Sequence, residues 1–308
     1  MSDVFARLLY HLASAFGRLP WPWLRGLGDG IAWLWRRSGG RESRVAQRNL
    51  ELAYPELLAG QREALQHDIL RTTARQSLET LRLWTRPHAE NLRLIRETHG
   101  ADLFAAAIAE GKGVIVAAPH YGNWELLNQW LAAQTPLAIL YRPPESALGE
   151  AFLRRVRAND GDRRDRVAQI RAEAAGIRQL FKRLRDGGVV GILPDQQPKN
   201  GDGEFAPFFG MPAYTMTLLP RLAERSGATV LFAYCERIGD LAFALRIEPA
   251  PEGIASSDTR IATTALNAMV ERIARRSAAQ YQWTHKRHTL QQCMDGRDNP
   301  YPEPEGRA

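Results

Sequence analysis

Two short apolar runs, each stopped by a proline, constrain this chain more than any other feature. Residues 113–118 read Gly-Val-Ile-Val-Ala-Ala before Pro119, and residues 188–193 read Gly-Val-Val-Gly-Ile-Leu before Pro194. Runs of this length and composition read as buried strands, and the proline that follows cannot donate to a sheet ladder and closes each run. Helical spacing occupies residues 124–133 and 174–185, and extended patterns return at 136–141, 229–236 and 241–247. That order argues for an α/β fold, a mixed sheet flanked by helices.

The rest of the chain falls into place around this core. Apolar positions recur at helical spacing before it, as in residues 62–83, so residues 1–99 are expected to be a helical N-terminal region. Residues 100–290 form the α/β domain. The polar stretch 291–308, rich in Pro, Gly and Asp, is expected to be a flexible tail. At 308 residues and 44% hydrophobic, the chain can bury a sizeable core.

The strand ends carry the groups that could do chemistry, since open α/β sheets gather ligands at their carboxyl ends. After the first run comes Pro119-His120-Tyr121-Gly122-Asn123-Trp124-Glu125, and after the second Pro194-Asp195. Asn123 has the side chain of a helix N-cap, which puts Glu125 in the first turn and His120 on the loop entering the helix. A carboxylate there could hold one imidazole nitrogen while the other takes a proton. No Gly-x-Ser-x-Gly elbow or reactive-cysteine setting completes a triad, so the nucleophile should belong to the substrate, a hydroxyl deprotonated by His120. A buried histidine satisfied by hydrogen bonds fits the same residues.

Charge points to an anionic partner without choosing it. The formal net charge is +7, and lysine occurs only at positions 112, 182, 199 and 286, so nearly all the positive charge is arginine. Residues 154–185 hold eleven basic residues against four acids, a solvated helical face or a phosphate or acidic-protein surface. Between Arg7 and Arg48 lie eight arginines, two acids and Trp21, Trp23, Trp33 and Trp35, a mixture that suits a lipid headgroup layer as well as a packed helical hairpin. Charges and prolines interrupt that stretch too often for a standard spanning helix, and it lacks the pattern of a cleavable secretory signal. The two cysteines, Cys235 and Cys293, have neither a disulfide nor a zinc pattern, so a reducing, cytosol-facing setting is expected. Arg142, after the strand-like 136–141, could bind an acceptor or an oxyanion, or simply lie on the surface. Phe205, Phe208, Phe209, Met211 and Met216 could line an acyl groove or fill the core.

The segment His120-Tyr121-Gly122-Asn123-Trp124-Glu125 resembles the His-plus-acid motif of glycerolipid acyltransferases, in the form found in the late acyltransferases of lipid A biosynthesis. Tyr141-Arg142-Pro143, residues 191–196 (Gly-Ile-Leu-Pro-Asp-Gln), Phe208-Phe209-Gly210 with Pro212-Ala213, and residues 280–287 agree in order with that family. The resemblance implies a glycerolipid-acyltransferase-like fold with a helical, membrane-associating lead-in. It implies His120 as catalytic base, Glu125 as its partner, and Asp195 as an acid needed for activity. A catalytic arginine falls at Arg164, with Arg163 close enough to exchange with it. Asn123, Arg142 and Arg163 are the substrate-binding candidates. The implied donor is an acyl carrier protein thioester, the acceptor a phosphorylated glycolipid, a Kdo-bearing lipid A precursor, and the place the cytoplasmic face of a Gram-negative inner membrane. Neither metal nor organic cofactor is expected.

Other readings stay open on the residues alone. The acceptor could be a lysophospholipid, a phosphatidylinositol mannoside or an amino-acid lipid. A metal hydrolase could use His120, Glu125 and Asp195 as ligands, without a recognised ligand motif. No zinc-finger, RNA-binding or helix-turn-helix signature supports a nucleic-acid partner, so none is expected.

Overall fold

A computed structural model describes residues 2–142, 144, 146–157, 167–288 and 299–301. The chain divides into two compact units that interleave in sequence. One comprises Met1–Gly28, Arg75–Leu193 and Leu222–Ala250, the other Asp29–Ala74, Pro194–Arg221 and Pro251–Ala308.

The chain opens with helices α1 (Ser2–Gly17), α2 (Trp21–Arg37), α3 (Arg41–Ala53), α4 (Ala59–Thr85) and α5 (His88–Leu92). Strand β1 (Ile95–His99) and helix α6 (Ala101–Ala109) lead to β2 (Val114–Ala117), α7 (Trp124–Gln134) and β3 (Leu137–Tyr141). Then follow α8 (Ala147–Arg157), β4 (Val167–Arg171), α9 (Ala174–Arg185) and β5 (Val189–Ile192). The hairpin β6 (Gly203–Phe208) and β7 (Met211–Met216) precedes α10 (Leu218–Ser226), β8 (Thr229–Gly239), β9 (Ala242–Pro249) and α11 (Thr259–Arg276).

The first unit is built on a seven-stranded sheet in the order β1-β9-β8-β2-β5-β3-β4, parallel throughout except for the β8–β9 hairpin. Its two central strands are the two apolar runs, and every residue of β2 and β5 is buried, as parallel strands covered on both faces require. Helices α6 and α7 pack on β9 and β8, and α9 packs on β4 and β5. Leu126, Leu127 and Leu131 of α7 join Val114, Val116, Leu231 and Phe243 in the core between helix and sheet. The expected mixed α/β sheet flanked by helices is present. The expected helical run to residue 99 stops earlier, because Ile95–His99 pairs with β9 as an edge strand.

In the second unit β6 and β7 pair around the two-residue turn Phe209-Gly210, both at positive φ (50° and 72°), the backbone of a type I′ hairpin. Arg275 of α11 stacks over the Phe209 ring at 4.3 Å. Phe208 and Phe209 pack with Trp283, and Tyr281 joins them, so these phenylalanines fill a core. Asn49 of α3 donates to the carbonyls of Trp283 (2.6 Å) and His285 (2.7 Å) and fixes that segment.

No helix among the described residues is long and apolar enough to cross a membrane. Helix α1 turns Ala6, Ser14 and Gly17 inward and packs on α8. It leaves Phe5, Leu8, Leu9 and Leu12 exposed at spacing i, i+3, i+4, i+7, one continuous face. Trp23, Leu27, Trp33 and Leu34 of α2 are exposed in the same way.

Candidate active site

The turn between β2 and α7 is built by close backbone approach. The β2–β5 ladder runs one residue past β2, with Ala118 N–H donating to Ile192 O at 2.8 Å. Pro119 ends it, and Tyr121 N–H returns to Pro119 O at 2.6 Å. Gly122 follows at φ +63°, and a Cβ there would lie 2.0 Å from the carbonyl oxygen of Cys235 in β8, so no other residue fits. Asn123 N–H donates to the same oxygen at 2.9 Å. Its side-chain oxygen accepts from Leu126 N–H at 3.1 Å, the N-cap expected of it.

This turn puts His120, Asn123 and Glu125 within one six-residue segment. All three are buried, His120 at 7% and Glu125 at 4% exposure. The imidazole lies edge-on to Trp124, ring centroids 4.9 Å apart. Glu125 falls in the first turn of α7, where the helix dipole favours an anion by about 0.3–1 kcal/mol. Glu125, Asn128, Gln129 and Ala132 follow one another along a single face of α7 and line a small pocket. Its other walls are Trp84, Ile139, Val156 and Val167, apolar, with His88 beside them. A pocket of this kind, apolar with a few convergent polar groups, suits a ligand with a hydrocarbon part and a polar end.

Asp195 belongs to the second unit and has a setting of its own. It is buried and hydrogen-bonds the Tyr281 hydroxyl, whose pKa is raised well above the ordinary value by burial first and then by the charge of Asp195, with Arg287 opposing. Arg287, also buried, donates to Tyr214 O (3.0 Å), Thr215 Oγ1 (2.7 Å) and Asn267 Oδ1 (2.9 Å). Tyr281 and Arg287 lie in a segment matched above only as a motif, and nothing local in the sequence gives them this task.

Arg142 follows β3 and is exposed. Arg163 and Arg164 lie outside the described residues. Cys235 is fully buried in the core of the first unit, and burial pushes its thiol far above the usual range, so it is an inert packing group. Among the described residues, no three His, Cys, Asp or Glu side chains are grouped as a metal site.

The sequence profile of the family described as bacterial lipid A biosynthesis acyltransferase matches residues 6–289. A lipid A biosynthesis palmitoleoyltransferase of Escherichia coli (strain K12) is 29% identical over 275 residues, covering 88% of this chain and 86% of that protein. A lipid A biosynthesis lauroyltransferase of the same organism is 27% identical over 277 residues, again 88% and 86% of the two chains. A phosphatidylinositol mannoside acyltransferase of Mycobacterium tuberculosis (strain CDC 1551 / Oshkosh) is 29% identical over 165 residues, 51% of this chain and 49% of that protein.

Proposed function

Because the chain belongs to the bacterial lipid A biosynthesis acyltransferase family, and so is an acyltransferase, we propose that it moves a fatty acyl group from an acyl carrier protein thioester to a hydroxyl of a lipid A precursor. The observation that carries this reading is the buried turn from His120 to Glu125, with Glu125 on the wall of a largely apolar cavity. His120 takes the proton of the acceptor hydroxyl, and the oxygen attacks the thioester carbonyl to form a C–O bond. The tetrahedral oxyanion then collapses, the C–S bond breaks, and the thiolate leaves with the proton returned by the imidazolium. Glu125 orients the ring and favours its charged form. The acyl chain occupies the cavity.

No serine or cysteine is proposed as an acyl carrier, and transfer is direct. Asp195 and an arginine, Arg164 or Arg163, are needed for activity, as the resemblance implies, while Arg142, exposed after β3, helps bind substrate. Asn123, fully buried with its amide engaged by Leu126 and Glu79, holds the turn instead of touching substrate. The basic last turn of α9, with Lys182, Arg183 and Arg185, offers an acidic carrier protein a docking charge. The exposed apolar stripes of α1 and α2, among arginines, hold the enzyme at the cytoplasmic face of the inner membrane. A second acceptor class, phosphatidylinositol mannoside, draws support from the mycobacterial relative.

The test is transfer in vitro from lauroyl acyl carrier protein to a Kdo-bearing lipid A precursor or to a phosphatidylinositol mannoside, with products weighed by mass spectrometry. The lipid A precursor should gain one acyl group, and His120→Ala should lose at least about 10²-fold in kcat, the contribution of a general base. Acylation of the mannoside alone would move the acceptor. A stoichiometric acyl adduct on the protein, discharged by acceptor, would overturn direct transfer.

A further inference from the structure

We infer that Glu79 and Arg237 are positioning residues for the reaction: their buried ion pair acts through Asn123 to fix the turn that carries His120 and Glu125. The inference rests on the acyl-transfer reading of that turn and adds two residues that no local motif marks.

Glu79 sits in α4 with its side chain 2% exposed, and Arg237 in β8 with its side chain 14% exposed. The guanidinium grips the carboxylate with its Nε–Nη2 edge: Nε donates to Oε1 at 2.9 Å and to Oε2 at 3.1 Å, and Nη2 donates to Oε2 at 2.5 Å. Withdrawing both charges from water is costly, and apolar residues of similar volume often do as well for stability alone. What the pair does here is present a fixed carboxylate oxygen to Asn123, whose Nδ2 donates to Glu79 Oε2 at 3.4 Å.

Asn123 is fully buried and has three groups to place. Its N–H goes to Cys235 O, its side-chain oxygen caps α7, and its amide NH₂ points to Glu79. The carboxylate decides which way round the amide sits, and so secures the cap that starts the helix of Glu125. The neighbouring strand residue holds the other end of the turn. Tyr121 donates its hydroxyl to Glu236 Oε1 at 2.6 Å, and Arg246 Nε holds Oε2 at 2.7 Å. Two consecutive residues of β8, Glu236 and Arg237, thus restrain the residues on either side of Gly122.

A single substitution separates positioning from mere stability. Asn123→Asp keeps a good N-cap but turns a carboxylate oxygen toward Glu79 in place of a donor. The swap Glu79→Gln/Asn123→Asp restores a donor–acceptor pair, with the amide now on residue 79. The assay uses the purified full-length chain, lauroyl acyl carrier protein and a Kdo-bearing lipid A precursor, with kcat normalised to folded protein. Asn123→Asp should lose about 10²-fold in kcat with KM within about twofold, the effect of misplacing a catalytic group by an ångström. The swap should recover at least about tenfold of that loss. His120→Ala decides the underlying reading separately, since near-normal turnover in that variant ends it whatever residue 123 does. With His120 essential, wild-type kcat in Asn123→Asp, or a melting temperature that falls and recovers without any change in kcat, overturns the positioning role. The conservative Arg237→Lys gives a second measurement if the others fold poorly: it should lower kcat, and an unchanged kcat also overturns the inference.

Discussion

Replacing Gly122 by alanine tests whether the turn from His120 to Glu125 is held by contact with β8. Any L-residue in the left-handed region costs about 1–2 kcal/mol. Gly122 is in that region, at φ +63°, and its new Cβ would lie 2.0 Å from the carbonyl oxygen of Cys235. Backbone does not yield as a flexible side chain does, so the turn must move away by about 1 Å, which also breaks the Asn123 N–H bond to that oxygen, worth about 0.5–1.5 kcal/mol net. The sum is a loss of about 1.5–3.5 kcal/mol. A shift of that size at His120 should cost on the order of 10²-fold in kcat. Gly111 supplies the control: its φ is +68°, and a Cβ there meets nothing within 4 Å. Gly111→Ala should therefore show the strain of about 1–2 kcal/mol alone and keep its turnover. Urea unfolding followed by tryptophan fluorescence, with kcat per folded molecule, reads both quantities. Equal destabilisation of the two variants, or near-normal turnover in Gly122→Ala, refutes the contact argument.

Three further outcomes are expected. Leu8→Asp/Leu12→Asp, placing charges on the exposed face of α1, should abolish most sedimentation with vesicles containing anionic phospholipid, and unchanged binding would move the attachment elsewhere. Burial holds the His288 imidazole down at about 4 against 6.5 in the unfolded chain, so the unfolded state binds the extra proton between these values. Stability should fall as pH drops from 6.5 toward 4, by up to ~1.4 kcal/mol per unit, and a His288→Gln variant with the same acid slope would count against it. Glu125→Gln should lose turnover with little change in melting temperature, whereas Asp195→Asn should lose both, as measured by kcat and thermal unfolding side by side.

The parts of the fold legible in the sequence are those whose environment is the same along a whole element. β2 and β5 are buried on both faces, so their residues are uniformly apolar and need no partner to be recognised. β1 reads Ile-Arg-Glu-Thr-His with four exposed residues, and only its pairing to β9 makes it a strand. The β6–β7 hairpin was hidden by Pro207 and Pro212, which face each other in register where sequence reasoning excludes central strands. At the site, the cap at Asn123 is a local signal and was readable. Glu79 and Arg237 are separated by 158 residues, so the pair exists only once the chain has folded.

The two acids singled out from the strand ends are kept by different physics. Glu125 depends on a helix start: the Asn123 cap and the aligned N–H groups of α7 make a carboxylate acceptable there while one face of the residue borders the cavity. Asp195 depends on a donor from a distant segment, the Tyr281 hydroxyl. Tyr281 keeps its proton because burial and the charge of Asp195 both oppose its ionisation, so its hydroxyl is a permanent donor to that carboxylate. Arg287 lies close enough to Tyr281 to oppose the rise in its pKa and is anchored through Thr215 and Asn267. An amide at 125 keeps size and hydrogen bonding and loses only the charge, which in the proposed mechanism supports an imidazolium. An amide at 195 keeps one oxygen for the Tyr281 hydroxyl but loses the charge and must place an NH₂ where the second carboxylate oxygen stood, in a buried site, at a cost of about 1–3 kcal/mol. The same carboxylate-to-amide change therefore separates an acid proposed to support the His120 imidazolium from one that also holds its unit together.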